Sequence, residues 1–165
     1  MKSIADEQLQ QAYRYAISLT NDHGSAKDIV HSAYVSLLER NMDDINNKQG
    51  YFLRCIRNTF IDKKRFNSRW LTVPEDHEDN TIDIGLETLE STIANQDLLK
   101  KLWGEFNPAE REVLYLWAVE GYTIDEISEL TDTSRGTLLS RVHRIRKKVL
   151  EKEQLAKRDN ARGIL

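Results

Sequence analysis

An acidic segment that interrupts the chain limits the possible folds more than any other feature. Residues 71–95 contain seven carboxylates and no lysine or arginine, together with Pro74 and Gly85. The segment shows no sustained helical period, so it is typical of a linker. A chain of 165 residues is long enough for one domain of roughly 100–200 residues or for two small ones. We therefore expect two small helical domains, residues 1–70 and 96–165, joined by an acidic linker, 71–95.

Charge is distributed unevenly over these parts. The net charge of −3 argues weakly against a nucleic-acid-binding protein, but two windows are basic. Residues 54–70 contain six bases and one acid, and residues 133–150 contain six bases and no acid. Clustered bases on one helix are typical of a phosphate-binding surface. The alternative for each window alone is a solvated helix face.

Several classes of protein are disfavoured. No stretch approaches the ~18 consecutive apolar residues of a membrane span, and the first 18 residues lack the apolar core of a signal peptide. The single cysteine, Cys55, excludes an internal disulfide and a multi-cysteine metal site, and we expect it to be buried and inert. The four histidines lack metal-ligand spacing, and no phosphate loop or Ser/His/Asp signature is present. We expect a cytoplasmic protein without membrane insertion, catalytic residue, metal or cofactor.

Apolar periodicity predicts an all-α fold, with three helices in the first half. The first covers residues 6–20. The second is capped by Ser25 and turns inward Ala26, Ile29, Val30, Ala33, Tyr34, Leu37 and Leu38. A polar loop, 41–49, precedes a third helix over 50–66, with Phe52, Cys55, Ile56, Thr59 and Phe60 inward. At about 100° per residue, its opposite stripe holds Arg54, Arg57, Asn58, Ile61 and Arg65.

The second half carries helix-start signals. Asn107 is a predicted N-cap, with Pro108 at the first helical position and Glu110 at the third, and Gly121 ends that helix. Thr123 opens a short helix with Glu126 as its capping partner. After the turn 131–133, a basic helix over 134–152 has a buried stripe of Leu138, Val142, Ile145 and Val149. We expect Trp70, Trp103, Trp117 and Tyr122 to serve packing, with stacking as the alternative for Trp70.

Two short helices joined by a tight turn, the second of them basic, are typical of a helix-turn-helix. The second helix of such a motif fits the major groove of DNA, where its first residues face base edges and later bases bind phosphates. The turn lacks the glycine that is often found there. The alternative is a plain helical hairpin with a solvated basic face.

These residues resemble the extracytoplasmic-function (group IV) sigma factors of the sigma-70 family. In the second half, residues 108–114 (PAEREVL) are similar to the family's LPxxxREVL segment, 120–128 (EGYTIDEIS) to EGxSxxEIA, and 136–146 (GTLLSRVHRIR) to GTVxSRxxRAR. In the first half, 26–31 (AKDIVH) are similar to AEDLVQ, and 57–65 (RNTFIDKKR) to RNxxxDxxR. Five segments in order, across nearly the whole chain, imply region 2 in the first half and region 4 in the second.

The resemblance implies the partners and the roles of individual residues. Region 2 would bind the clamp helices of the largest subunit of core RNA polymerase, and region 4 would approach the polymerase flap. The other implied partners are promoter DNA and an anti-sigma factor. The core-binding residues implied are Asp28, His31 and Ser32. Those at the −10 element are Arg54, Arg57, Asn58, Asp62 and Arg65, beside a pocket for a flipped base in the loop 41–49. Those at the −35 element are Arg135, Thr137, Leu139, Ser140, Arg141, His143 and Arg144.

The chain departs from the family pattern at a few positions. Lys27 and His31 replace the usual Glu and Gln of region 2, and Tyr51-Phe52 replace Trp-Leu. In region 4, Asn107 replaces the Leu before Pro108, and Leu139 stands where Lys or Arg is frequent. Leu139 could contact a thymine methyl group, and it could equally make no contact with DNA. A stand-alone helix-turn-helix regulator and a polymerase-binding module without initiation activity remain the alternatives to a sigma factor.

Overall fold

The computed structural model describes residues 5–66 and 100–163. The predicted linker, 71–95, and Trp70 lie outside the described residues. Within the described ranges the chain forms helices and turns and no strand, which confirms the all-α class. The chain divides into two compact units, of which the first contains the helices before residue 66 and the second contains the long C-terminal helix.

The first unit is a bundle of three helices, α1 (Asp6–Thr20), α2 (His23–Leu38) and α3 (Lys48–Phe66), each of which packs against the other two. Apolar side chains recur at helical spacing and fill its centre. The largest of them that are fully buried are Tyr15, Phe52, Leu53, Ile56 and Phe60. Burial of these side chains fixes which face of each helix points outward.

Some local predictions in this unit were wrong. The N-cap of α2 is Asp22, whose carboxylate accepts from the Ser25 amide at 2.8 Å, so Ser25 is inside the helix rather than its cap. Helix α3 starts at Lys48, because the Asn47 side chain accepts from the Gly50 amide at 2.9 Å and sets the first turn. Leu38, predicted to face inward, is 56% exposed. The inward set also omitted Leu53, which is fully buried, and four of its members are only half-buried: Val30, Tyr34, Cys55 and Thr59.

After residue 100 the chain forms a 3₁₀ turn (Trp103–Glu105), α4 (Pro108–Ala118), α5 (Ile124–Thr131) and α6 (Arg135–Arg162). The predicted capping box of α4 is confirmed: Asn107 accepts from the Glu110 amide at 2.9 Å, and Glu110 accepts from the Asn107 amide at 3.1 Å. Gly121, at φ 74°, follows the end of α4 in a conformation that suits glycine.

Helix α6 packs its predicted stripe inward, since Leu138, Val142, Ile145 and Val149 are all buried. Ile145 and Val149 join a core cluster with Leu102, Phe106 and Leu114, and Trp103 packs against it. The helix continues ten residues beyond the predicted end at 152, because no glycine or proline interrupts the chain before Gly163.

Candidate nucleic-acid interface

One candidate surface is the outward face of α3. Arg54, Asn58 and Arg65 are exposed there, spaced four and seven residues apart, which places them on one side of the helix. Asp62 is exposed beside them, and Arg57 is half-buried at the edge of the same face. The predicted −10 residues therefore form one surface that combines guanidinium donors, an amide and one carboxylate.

The outward face of α2 carries the predicted core-binding residues. Asp28 and His31 are exposed, and Ser32 is half-buried with its hydroxyl donating to the Asp28 carbonyl at 2.9 Å. The same face exposes Val35 (40%) and Leu38 (56%), which the sequence-based site omitted. The sequence pattern did not indicate their exposure, because it depends on the packing of the bundle, which buries Leu37 instead. Exposed apolar groups beside polar ones are typical of a surface that binds protein rather than nucleic acid alone.

The turn between α5 and α6 is held by reciprocal hydrogen bonds. The Ser128 hydroxyl donates to the Thr133 carbonyl at 2.7 Å, and the Thr133 amide donates to the Ser128 carbonyl at 3.2 Å. Asp132, at φ 49°, adopts the left-handed conformation in place of the missing glycine. This arrangement provides a helix-turn-helix without glycine in its turn.

The first turn of each helix beside that turn is capped. Thr123 and Glu126 form the predicted capping box of α5, at 2.8 Å from the Thr123 amide to the Glu126 carboxylate and 3.2 Å from the Glu126 amide to the Thr123 hydroxyl. Ser134 caps α6 by accepting from the Thr137 amide at 3.2 Å, and the Ser134 and Thr137 hydroxyls lie 2.8 Å apart. Thr137 thus contributes to the helix start.

The outward side of α6 lies opposite its buried stripe. At about 100° per residue, it contains Gly136, Ser140, His143, Arg144 and Lys147. Gly136, His143 and Lys147 are exposed, whereas Ser140 and Arg144 are half-buried. Leu139 and Thr137 lie on opposite flanks of this surface, each half-buried. Sequence reasoning omitted Lys147 from the site, although its spacing from Ser140 and His143 could have indicated it.

Arg135 and Lys148 of α6 are engaged with carboxylates of neighbouring helices. The Arg135 guanidinium forms an ion pair with Asp125 of α5, and the side chains remain 60% and 75% exposed. Lys148 lies 2.7 Å from the carboxylate of Glu110, whose side chain is 1% exposed, and 5.6 Å from the centre of the Phe106 ring. Lys148 therefore neutralises a buried charge.

Arg141 differs from its neighbours in position. It lies between Leu138 and Val142 on the side of α6 next to the core, and its Nη1 atom is buried. Of the predicted −35 residues, Arg141 is therefore placed nearer to the core than to the outward surface. The structure brings Ser140, His143 and Arg144 onto that surface.

The described residues offer little for other chemistry. Burial raises the pKa of the half-buried Cys55 thiol, which lowers its thiolate content at neutral pH. Burial also raises the pKa of Tyr122, with Glu120 and Glu126 acting in the same direction. Within residues 5–66 and 100–163, no group of three or more His, Cys, Asp or Glu side chains is placed to hold a metal ion. In those same ranges no helix combines the length and the apolar content needed to cross a membrane.

Comparison with known proteins identifies the family. The family model described as sigma-70 region 2 matches residues 4–69, and the model for sigma-70 region 4 matches residues 98–149. The chain belongs to the sigma-70 family. It is a sigma factor of the extracytoplasmic-function type, and it acts in promoter-directed initiation of transcription. Sigma factors as a family are not enzymes.

A similar solved structure supports the fold. It is the sigma factor RpoE from Bartonella quintana, crystallised in complex with the anti-sigma factor NepR. The two chains are 19% identical, the match covers 88% of this chain and 91% of that one, and the TM-score is 0.55. This similarity extends over both regions of the sigma factor.

Proposed function

We propose that this sigma factor divides promoter recognition between two basic helix faces in separate domains, residues 1–70 and 96–165. The observation that carries the proposal is the pair of outward surfaces on α3 and α6, each within a segment that matches a sigma-70 region. Neither surface alone offers many phosphate contacts, so each should bind DNA weakly. Core polymerase would hold both at once and make the contact bivalent.

The α3 face would engage the −10 element through Arg54, Arg57, Asn58, Asp62 and Arg65. Guanidinium and amide groups suit both phosphates and base edges. The neighbouring loop would hold a flipped base, since capture of one unstacked base offsets the few kcal/mol needed to expose it. In support, one bond joins the residues that flank the loop, since Arg40 donates to the Tyr51 hydroxyl at 2.7 Å, and the first turn of the loop is held by the Asn41 side chain, which accepts from the Asp43 amide at 3.1 Å.

The outward face of α2 would bind the clamp helices of core polymerase. Asp28, His31 and Ser32 would supply polar contacts, and Val35 with Leu38 would supply apolar area. This composition supports a protein partner, because apolar groups ringed by polar ones are typical of an interface. The second domain would approach the polymerase flap.

The α6 face would lie in the major groove of the −35 element. Ser140, His143 and Arg144, with Arg135, Thr137 and Leu139 around the helix start, would meet the bases, and Lys147 would bind a phosphate. Arg141 would support the helix from its core side. The acidic linker, 71–95, would run toward the positively charged nucleic-acid channels of the polymerase.

The chemistry of transcription would belong entirely to the polymerase, so the chain would contribute no catalytic group and would act in the cytoplasm. An anti-sigma factor would be a further partner, as NepR is of the similar RpoE chain. Such a partner would compete for the α2 face or for a DNA-binding face.

Run-off transcription tests this function. Core polymerase from the same organism, fragmented genomic DNA and the purified chain would be combined, and the 5′ ends mapped. Discrete starts that need the chain and share −35 and −10 elements would support the proposal. Core binding without new starts would favour an initiation-incompetent binding module. Specific duplex binding without core binding would favour a stand-alone regulator.

A further inference from the structure

Asp125 is an acid placed where a DNA-binding surface should be basic. It lies in the first turn of α5 and pairs with Arg135, the first residue of α6. Both side chains are mostly exposed, and an exposed ion pair contributes little to stability. The ion pair can therefore affect DNA binding through the charge of Asp125 and the orientation of Arg135 more than through stability.

Both partners of this pair start from rigid backbone. The capping box of Thr123 and Glu126 fixes the turn that carries Asp125. Ser134 caps the turn that carries Arg135, and the Ser128–Thr133 bonds hold the connection between them. A side chain held by a partner on a fixed element keeps its orientation better than a free one.

The contact leaves much of the guanidinium available. It joins Nη1 of Arg135 to one carboxylate oxygen of Asp125, whereas a guanidinium carries five N–H donors. Guanine presents two acceptors, O6 and N7, to a guanidinium in the major groove. Arg135 can therefore keep Asp125 and still offer donors to a guanine.

We propose that Asp125 is a positioning residue that aims Arg135 at a guanine of the −35 element and weakens its attraction to phosphates in general. This inference rests on the proposed role of α6 in the major groove. The carboxylate repels the backbone of any DNA sequence, whereas an oriented guanidinium favours one base. Together, the two effects raise the ratio of specific to non-specific binding.

The test uses holoenzyme, reconstituted with core polymerase, on one mapped promoter whose −35 positions are randomised. Transcripts from the library give the base preference at every position for the wild-type chain and for Asp125→Asn. Asp132→Asn is the matched control, because it removes the same charge from the same motif and because asparagine tolerates the left-handed backbone of residue 132. Arg135→Ala, alone and combined with Asp125→Asn, completes a double-mutant cycle.

The wild-type holoenzyme should prefer guanine at one −35 position by about ten-fold, and Arg135→Ala should abolish that preference. Asp125→Asn should reduce the guanine preference to about three-fold or less and should also strengthen binding to an unrelated duplex. Asp132→Asn should strengthen binding to the unrelated duplex and leave the guanine preference unchanged. In the Arg135→Ala background, Asp125→Asn should leave the base preference unchanged. A guanine preference that survives Asp125→Asn at full strength would overturn the inference, as would its equal loss in Asp132→Asn. Wild-type initiation on the parent promoter separates these results from failure of the proposed function.

Discussion

The two basic helices have six bases in each sequence window but use them differently. On α3, Asn58 and Arg65 stand exposed on an outward face. On α6, Arg135 is paired with Asp125, Lys148 serves the buried Glu110, and Arg144 and Lys147 lie on the outward side. Clustered charge therefore indicates a surface, but packing decides how much of that charge can meet DNA.

The largest expected effect belongs to the α3 face. Asn58→Ala with Arg65→Ala should slow open-complex formation by about 100-fold, since each contact to a base edge is worth ~1–3 kcal/mol. The measurement is the rate of promoter melting, followed by permanganate reactivity of unpaired thymines in holoenzyme complexes.

A matched pair on another helix controls for charge. Gln10→Ala with Arg14→Ala removes one amide and one base from the exposed side of α1 and should leave melting within about two-fold. Affinity for core polymerase should be unchanged in both double variants. Equal loss of core binding and melting in the α3 variant would contradict the assignment of that face to DNA.

The next effect separates two neighbouring lysines of α6. Lys148→Met should lower the free energy of unfolding by about 2 kcal/mol, because it leaves the Glu110 carboxylate buried without its cation. Lys147→Met, on the outward side, should change it by less than about 0.5 kcal/mol. Urea unfolding of the full chain, monitored by tryptophan fluorescence, would measure both. Equal destabilisation by both variants would contradict the assignment of Lys148 to the buried Glu110 and of Lys147 to the outward surface.

Lys147 should matter for DNA instead. Lys147→Ala should weaken promoter binding by holoenzyme several-fold, and it should reduce the slope of log K against log salt by about 1, as expected for one lost phosphate contact. Lys157→Ala, an exposed lysine further along the same helix, is the control and should preserve the slope. An unchanged slope in Lys147→Ala would remove this residue from the interface.

The smallest effect concerns the bundle of the first unit and its response to acid. The Ser25 amide and side chain hold the pKa of Asp22 below its ordinary value, so this cap stabilises the fold above the unfolded pKa of about 3.9. That stability is lost as the pH falls through the lower, folded pKa. Asp22→Asn keeps a capping oxygen without the charge, so the variant should lose less stability than the wild type between pH 5 and 2 in acid titrations followed by circular dichroism. A parallel loss in both proteins would show that the Asp22 charge plays no part.

Sequence patterns predicted the elements better than their ends. The α4 capping box and the α6 stripe were predictable, because each depends on residues close together in the chain. The cap of α2 was not, since Asp22 and Ser25 are both good caps and only the backbone path chooses between them. Leu37 and Leu38 are chemically alike, and packing of the bundle buries the first and exposes the second.

The candidate site shows a similar limit. Periodicity placed Arg54, Asn58 and Arg65 on one outward face, whereas Ser140, His143 and Arg144 were implied by the resemblance to the sigma factors. The Arg135–Asp125 and Lys148–Glu110 pairs join residues on different helices. No local pattern identifies them, because they depend on how α4, α5 and α6 are arranged in space.

Site-specific photo-crosslinking in the holoenzyme tests the central claim most directly. A photoreactive amino acid would replace Ile61, on the outward face of α3, or Gly136, where an added Cβ atom lies in open space. On a mapped promoter, we expect the first probe to crosslink the non-template strand of the −10 element and the second to crosslink the −35 element. Crosslinks of both probes to one element, or to neither in complexes active for transcription, would contradict the assignment of the two faces.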